Sequence, residues 1–200
     1  MLTGPGLLVA FEGLDQSGKQ TQAEGVQEFV RKRGRECRLV SFPDYTTAIG
    51  QEISKALHGE REYGADVMQL MYVANRYERR IEMASWLEHG AVLVCDRYRA
   101  SSVAYGEAQG LDPVWLREMQ RYLPATDLTI LLDIAPETAV QRKAKGRDRY
   151  ERDLALLSRV RESYRRQAMQ DQWLTLNGER PRDEVSAEVV SAVEKLLERR

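Results

Sequence analysis

Gly13, Gly18 and Lys19 have the spacing G-x-x-x-x-G-K, which is typical of a loop that binds the phosphates of a nucleotide. Glycines allow backbone N–H groups to turn inward around a phosphate, and the following helix directs the positive end of its dipole at the same anion. Lys19 adds a point charge for the outer phosphates. A glycine-containing turn with a surface lysine is the alternative. The apolar run before the loop and the helical pattern after it favour phosphate binding.

One position departs from this pattern. The residue after the lysine is normally Ser or Thr, whose hydroxyl binds Mg²⁺, and here it is Gln20, followed by Thr21. Because Mg²⁺ prefers oxygen ligands and retains several waters, a glutamine amide oxygen can serve directly or through a water. The sequence therefore predicts phosphate binding here and leaves the metal geometry open.

A carboxylate and a guanidinium, Asp96 and Arg97, follow the third predicted strand. Beside a phosphate loop, the carboxylate can hold Mg²⁺ through water. The planar fork of the arginine can bind a second phosphate. The alternative is a buried ion pair with only a structural role.

Tyr72 and Arg76 lie four residues apart in a predicted helix and therefore share a face. A ring and a guanidinium side by side can stack on a planar heterocycle and hydrogen-bond to it. Such pairs are also ordinary helix neighbours, and spacing alone favours that interpretation.

The densest charge cluster lies at residues 142–149 and includes Arg142, Arg147 and Arg149. Cationic side chains that close over a migrating phosphoryl group lower the barrier to its transfer, and Gly146 allows the segment to flex as a lid. A solvated, charged helix explains the composition equally well.

The elements that position these residues alternate along the chain. Apolar runs predict strands at residues 7–11, 37–42, 91–95, 128–134 and 173–176. Helical patterns occupy residues 20–33, 46–58, 66–88, 113–122, 136–144, 151–170 and 182–199. This alternation predicts an α/β fold of three layers, in which helices cover both faces of a five-stranded parallel sheet. Ligands bind at the carboxyl ends of such strands, where the residues above are expected to gather.

The composition fits one globular domain over residues 1–200, with 42% hydrophobic and 30% charged residues. A net charge of −1 argues against a nucleic-acid or membrane partner held by charge. No apolar run is long enough to span a membrane, and the N-terminus does not resemble a secretory signal. Cys37 and Cys95 lie in apolar runs and are expected to be buried, reduced thiols. These features predict a cytoplasmic enzyme.

Taken together, these segments resemble the thymidylate kinase family, P-loop kinases that phosphorylate dTMP with ATP. The resemblance covers essentially the whole chain. It rests on FEGLDQSGKQTQ at 11–22, FPDYTTAIG at 42–50, ANRYE at 74–78, DRYRASSVAYGEAQG at 96–110, ILLD at 130–133 and RKAKGRDRYE at 142–151. Asp15 within the loop, combined with Asn75-Arg76 and Asp96-Arg97-Tyr98, distinguishes this family from other nucleotide kinases.

The resemblance implies transfer of the γ-phosphate of ATP to dTMP, giving dTDP and ADP, by a Mg²⁺-dependent homodimer of P-loop NTPase fold with a short lid at about 142–151. Apolar residues of the predicted helix 66–88 can pack internally or across such a dimer. The resemblance implies ATP binding by Gly13, Leu14, Asp15, Gln16, Ser17, Gly18, Lys19, Gln20, Thr21 and Arg142. It implies dTMP binding by Asp15, Phe42, Tyr45, Tyr72, Arg76, Arg97, Ser101 and Tyr105. It implies catalytic roles for Lys19, Asp15, Arg97, Arg147 and Arg149, and metal binding by Asp96 and Gln20.

Individual roles follow from the same resemblance. Asp15 would accept a hydrogen bond from the 3′-hydroxyl of dTMP, and Tyr105 would crowd the 2′ position and disfavour ribonucleotides. Tyr72 would stack on the thymine, which Phe42 also flanks, while Arg76 would bond its carbonyl edge. Arg97 would hold the dTMP phosphate, and Arg142 would pack on the adenine.

Three residues depart from the family pattern. Gln20 replaces Ser or Thr. Gln16 stands where some members carry an arginine, so catalytic charge is expected from the lid, chiefly from Arg147. Tyr45 also replaces an arginine of some members, which leaves the acceptor phosphate more dependent on Arg97. These departures keep two alternatives open: a P-loop kinase for dUMP or another deoxynucleotide, and an ATP-binding protein with impaired catalysis.

Overall fold

A central parallel sheet organises the molecule in a computed structural model, which describes residues 6–142 and 153–199. Its strands are β1 (Leu7–Glu12), β2 (Cys37–Ser41), β3 (Val92–Asp96), β4 (Leu128–Asp133) and β5 (Leu174–Asn177). They pair in the order β2-β3-β1-β4-β5, and every pairing is parallel. The predicted five-stranded parallel sheet is therefore confirmed.

Helices cover both faces of this sheet, because alternate side chains of β1 are buried on opposite sides. The helices are α1 (Lys19–Lys32), α2 (Ala48–Leu57), α3 (Ala65–Glu88), α4 (Arg99–Ala108), α5 (Pro113–Glu118), α6 (Pro136–Arg142), α7 (Leu154–Gln170) and α8 (Arg182–Glu198). Val9 and Phe11 join a cluster with α1 and α8, whereas Leu8 and Ala10 join a cluster with α3. Among the residues described, no helix is long and apolar enough to cross a bilayer.

Several helices are shorter than the sequence patterns predicted, and in two of them a side-chain cap sets the first residue. The Thr47 hydroxyl accepts the Gly50 N–H, so α2 begins at Ala48 instead of 46. The Asp153 carboxylate accepts a backbone N–H in the same way at the start of α7, which was expected to begin at 151. Helix α5 ends at Glu118 rather than 122, and the predicted helix 136–144 is described only as far as Arg142.

Helix α4 was not predicted, since its sequence RASSVAYGEA contains small residues without a helical repeat of apolar ones. Its N-terminus is instead stabilised by a side chain that is distant in sequence. The buried Glu12 carboxylate accepts hydrogen bonds from the backbone N–H groups of Tyr98 and Ser101, at 2.9 and 3.3 Å. A negative charge at a helix N-terminus also interacts favourably with the helix dipole.

Both cysteines are free thiols and buried, as predicted. Burial raises the pKa of Cys37 to about 12 and that of Cys95 further. Both groups therefore remain protonated at neutral pH.

Candidate active site

The loop between β1 and α1 has a backbone that only glycine tolerates at its two ends. Gly13 has φ of +138°, and a Cβ there would lie 2.5 Å from the carbonyl oxygen of Leu132. Gly18, with φ of +96°, precedes α1, and no side chain in the described part of the chain caps that helix. Its first-turn N–H groups are therefore available to a ligand, as phosphate binding requires.

Lys19 lies inside this loop and is only 6% exposed. Its Nζ donates a 2.7 Å hydrogen bond to the carbonyl oxygen of Leu14. Burial, followed by the nearby charge of Arg97, lowers the pKa of Lys19 to about 8, although surrounding carboxylates act in the opposite direction. The ammonium charge is thus poorly solvated until an anion approaches.

Two polar atoms beside Lys19 are buried without a hydrogen-bond partner among the described residues, Ser17 Oγ and Asp96 Oδ1. Asp96 lies close enough to raise the pKa of Lys19. A carboxylate oxygen left open beside a phosphate loop fits a hydrated Mg²⁺. Gln20, by contrast, is exposed, and its Nε2 donates to Glu24 Oε1 at 2.9 Å along α1. The structure therefore does not bring Gln20 into the loop, and its metal role stays a prediction.

Arg142, at the end of α6, joins the phosphate loop to the segment after β5. Its Nη1 donates to the Gln16 carbonyl at 3.1 Å and its Nη2 to the Gly178 carbonyl at 3.0 Å. The predicted donor-site arginine therefore contacts the phosphate loop, and Thr21 lies in the first turn of α1. The predicted lid residues Arg147 and Arg149 lie outside the described residues.

A cleft that is open to solvent lies beside the phosphate loop. All residues predicted to bind the acceptor line it: Asp15, Phe42, Tyr45, Tyr72, Arg76, Arg97, Ser101 and Tyr105. The sequence did not single out four other lining residues, Pro43, Leu57, Gln69 and Ser102. For Gln69 a signal existed, because it precedes Tyr72 by three positions and so shares the same face of α3.

Arg97 connects the cleft to the phosphate loop. Its Nη2 donates to Asp15 Oδ1 at 2.7 Å, and its Nη1 donates to the Gly13 carbonyl at 3.1 Å. Burial acts to lower the pKa of Arg97, but the adjacent Asp15 holds it well above its usual value. The Tyr105 hydroxyl donates to the other oxygen of Asp15 at 3.3 Å. The two sites therefore share one carboxylate.

A buried network behind Arg97 fixes its position, and the sequence analysis missed two of its members. Glu12, 1% exposed, accepts hydrogen bonds from the Ser101 hydroxyl at 2.6 Å and from the Tyr164 hydroxyl at 3.2 Å. Those two hydroxyls lie 3.4 and 3.3 Å from Nη1 of Arg97. The only signal for Glu12 was a single acidic residue at the end of an apolar strand. Tyr164, on α7, gave none.

Arg76 also lines the cleft and is 3% exposed. Its Nη1 donates to Ser102 Oγ at 2.8 Å and, more weakly, to Gln120 Oε1 at 3.4 Å. Burial lowers the pKa of Arg76. Its Nε is buried and has no partner in the described chain, so the guanidinium retains one unused hydrogen-bond donor.

Helix α3 also holds the segment that follows β2. Asn75 accepts the N–H of Asp44 at 2.7 Å and donates to its carbonyl at 3.1 Å. Arg79 donates to the Asp44 carboxylate at 2.6 Å. These bonds place Phe42, which is buried, and Tyr45, which is 48% exposed, on the wall of the cleft.

A phosphate loop follows β1, and beside it lies a cleft with aromatic rings, the buried Arg76 and the partly exposed Arg97. These features match one donor phosphate chain and one flat, phosphorylated acceptor. On a five-stranded parallel sheet, this combination defines a P-loop kinase of nucleoside monophosphates.

Comparisons with known proteins agree. The family model described as thymidylate kinase matches residues 11–189. A thymidylate kinase of Dictyostelium discoideum is 34% identical over 187 residues, which cover 93% of this chain and 84% of the relative. One from Arabidopsis thaliana is 36% identical, with 94% and 71% covered. A solved structure of thymidylate kinase from Candida albicans has a TM-score of 0.81 at 26% identity, with 96% and 92% covered. The chain belongs to the thymidylate kinase family.

Proposed function

We propose that the protein transfers the γ-phosphate of ATP to dTMP, forming dTDP and ADP. One observation carries this proposal. A single cleft is lined by Tyr72 and Arg76, suited to a base, and by Arg97, suited to a phosphate, and Arg97 is bonded to Asp15 of the phosphate loop. The names of the family and of its relatives support dTMP as the acceptor.

In the proposed reaction, an oxygen of the dTMP phosphate attacks the γ-phosphorus of ATP in line. The new O–P bond forms as the bond from the γ-phosphorus to the β–γ bridging oxygen breaks, and ADP leaves with that electron pair. The attacking phosphate is already ionised, so no side chain has to remove a proton. Positioning and charge neutralisation then supply the rate.

Two cations, the buried Lys19 and the partly exposed Arg97, are suited to that neutralisation. Lys19 faces the outer phosphates of ATP from within the loop, and Arg97 holds the acceptor phosphate. We retain Arg147 and Arg149 as residues that assist transfer from the lid, with Arg147 the main source of further charge because Gln16 brings none. Arg142 is retained as a residue that packs on the adenine. These last roles follow from the family resemblance.

The proposal includes Mg²⁺. Asp96 is the residue best suited to hold it through water, since its Oδ1 is buried and has no partner in the described chain. When bound, Mg²⁺ would neutralise phosphate charge. Few protein ligands are expected, because Mg²⁺ in kinases takes most of its ligands from water and phosphates.

We further propose one domain over residues 1–200, a homodimer and a cytoplasmic location. Support for the dimer comes from α3. Its outer face carries Val67, Leu70 and Ile81, which are 38%, 48% and 76% exposed and repeat at helical spacing. An apolar stripe of this kind is typical of a surface that packs against another chain.

The test is release of ADP from Mg-ATP with dTMP, dUMP, UMP, dCMP, dGMP or no acceptor, compared side by side. Strong release with dTMP, weaker release with dUMP and little with the others is expected. Lys19→Ala serves as the control for the loop, and we expect it to lower kcat by a few orders of magnitude while the protein stays folded.

The other outcomes point to the alternatives. Preference for another acceptor would show that Tyr45, in place of an arginine, has changed the specificity. Binding of ATP without release of ADP under any condition would identify an ATP-binding protein and make Gln20 the central departure. Either result would overturn the proposed function.

A further inference from the structure

Gln69 carries a buried amide whose hydrogen-bonding capacity is unused. The residue is 0% exposed, lies on α3 and lines the acceptor cleft. Neither its Oε1 nor its Nε2 has a hydrogen-bond partner in the described part of the chain. Buried side-chain amides are almost always paired, so an unpaired one at a binding cleft indicates a partner that arrives with the ligand.

The stem of Gln69 is enclosed by apolar packing. A Cβ on Gly106 of α4 would lie 3.3 Å from Cγ of Gln69 and 2.6 Å from a methyl carbon of Leu116. The absence of a side chain at Gly106 therefore leaves space for the methyl groups of Leu116 and, beside them, for the stem of Gln69. An apolar residue of the same length would suit such surroundings better than an amide, which argues against a purely structural role.

The chemistry of the cleft indicates what the amide meets. Gln69, Tyr72 and Arg76 follow one another on the same face of α3. A guanidinium can only donate hydrogen bonds, whereas an amide both donates and accepts. The edge of a 4-oxopyrimidine presents a carbonyl acceptor beside an N–H donor. Arg76 alone can satisfy only the carbonyl.

We propose that Gln69 is a specificity-determining residue that hydrogen-bonds the N–H and carbonyl edge of the acceptor base. The inference rests on the proposed function, because it takes a 4-oxopyrimidine nucleotide as the acceptor. Gln69 and Arg76 together then match both groups of that edge, and Tyr72 supplies the stacking surface.

Removal of an amide that serves the ligand should not destabilise the fold but should weaken binding of the acceptor. Gln69→Met removes the amide and keeps the length of the side chain. We expect the nucleotide-free variant to have a Tm equal to that of the wild type or higher by a few degrees, since an unpaired buried amide is destabilising. We expect kcat/KM for dTMP to fall by about tenfold to a hundredfold, mainly through KM, because the base edge is left unpaired. The KM for ATP should not change.

The matched control is Gln51→Met on α2, where the glutamine is exposed; it should match the wild type. Gln69→Leu, which also lacks the amide, should reproduce the effects of Gln69→Met. Two acceptor analogues locate the contact. Gln69→Met should also weaken binding of 3′-deoxythymidine monophosphate, which keeps the base. It should not change the inhibition constant of 1,2-dideoxyribose 5-phosphate, which lacks the base.

Three results would overturn the inference. The first is an unchanged KM for dTMP in Gln69→Met. The second is an equal loss of affinity in Gln69→Met for the analogue with the base and for the analogue without it. The third is a Tm several degrees below the wild type in both variants, which would make the amide structural. If the wild type released no ADP with dTMP, the proposed function would fail and this inference with it. If the wild type turns over dTMP normally and Gln69→Met does so with an unchanged KM, the proposed function stands and only this inference is overturned.

Discussion

Binding of ATP should draw a proton onto Lys19 at alkaline pH. In the nucleotide-free protein, Lys19 is 6% exposed, and burial lowers its pKa from an ordinary 10.5 to about 8, with a further contribution from the charge of Arg97. A triphosphate in the loop would place several negative charges beside Nζ and so favour the protonated form. The pKa of Lys19 in the complex should therefore return to its ordinary value or above.

The size of the effect follows from these two pKa values. At pH 9, a group of pKa about 8 is roughly one-tenth protonated, whereas it is almost fully protonated in the complex, so about 0.9 proton is taken up. At pH 7 the uptake is only about 0.1 proton by the same arithmetic. The apparent affinity for ATP should be about tenfold weaker at pH 9 than at pH 7, because Lys19 must first be protonated.

Isothermal titration calorimetry in two buffers of different ionisation enthalpy measures this uptake directly. At pH 9 the triphosphate is itself fully ionised and adds nothing. Lys19→Arg is the control, since an arginine keeps the charge and does not titrate. Uptake below about 0.2 proton at pH 9, or equal uptake by Lys19→Arg, would refute the assignment to Lys19.

The same shift makes the stability of the nucleotide-free protein depend on pH. Because the folded pKa of about 8 lies below the unfolded value of 10.5, the unfolded chain binds more protons between these two values. The free energy of unfolding therefore rises with pH across this window as far as Lys19 contributes to it. Below pH 8, the buried charge of Lys19 lowers that free energy by about 3 kcal/mol. Lys19→Met should exceed the wild type in free energy of unfolding at pH 7, and the gap should shrink by pH 10. A gap that grows with pH would contradict the shift.

Three further substitutions test the contacts around the two sites. Tyr164→Phe removes a hydroxyl from the network behind Arg97 and should cost about 1–2 kcal/mol of stability, a Tm lower by about 3–6 °C, while raising the KM for dTMP. Gly50→Ala places a Cβ 1.8 Å from the carbonyl oxygen of Asp44, and denaturant unfolding should show a loss of about 3 kcal/mol or more, because backbone must move. Arg142→Ala should raise the KM for ATP several-fold and leave that for dTMP unchanged.

Each of these expectations has a result that would contradict it. A wild-type Tm and dTMP KM in Tyr164→Phe would show that the hydroxyl does not position Arg97. Full stability of Gly50→Ala would mean that the turn before α2 adapts to a side chain. An increase in the KM for dTMP rather than ATP in Arg142→Ala would move that arginine to the acceptor side.

The phosphate loop was predictable because its determinants are local. Gly13 and Gly18 both have positive φ, and their spacing alone indicates a turn that other residues do not tolerate. The parallel sheet was likewise predictable, because the strands are continuous apolar runs. Strands that are buried on both faces of a sheet do not alternate apolar with polar residues. For the cleft, the family resemblance contributed more than spacing, because Tyr72 and Arg76 alone look like any helix pair.

Interactions between distant residues explain what the sequence did not predict. Helix α4 depends on Glu12, whose carboxylate accepts two N–H groups from the start of that helix. The interaction joins residues almost ninety positions apart, which no local pattern reports. Gln69 was on the predicted face of α3, but only its burial without a partner, a property of the folded chain, distinguishes it from an ordinary helix residue.

The geometry of Arg97 is compatible with the proposed role of this residue in both sites. Its φ of +63° is unfavourable for a residue with a side chain. Its own N–H compensates by donating to the Phe11 carbonyl at 2.9 Å, and Nη2 is fixed by the 2.7 Å bond to Asp15. The Nη1 contacts with Ser101 and Tyr164, at 3.4 and 3.3 Å, are longer and weaker. A phosphate that binds Arg97 can therefore replace these two weak Nη1 contacts while the bonds to Gly13 and Asp15 remain. In the proposed reaction, acceptor binding then leaves the guanidinium attached to the loop expected to hold ATP, which would position the acceptor phosphate relative to the donor.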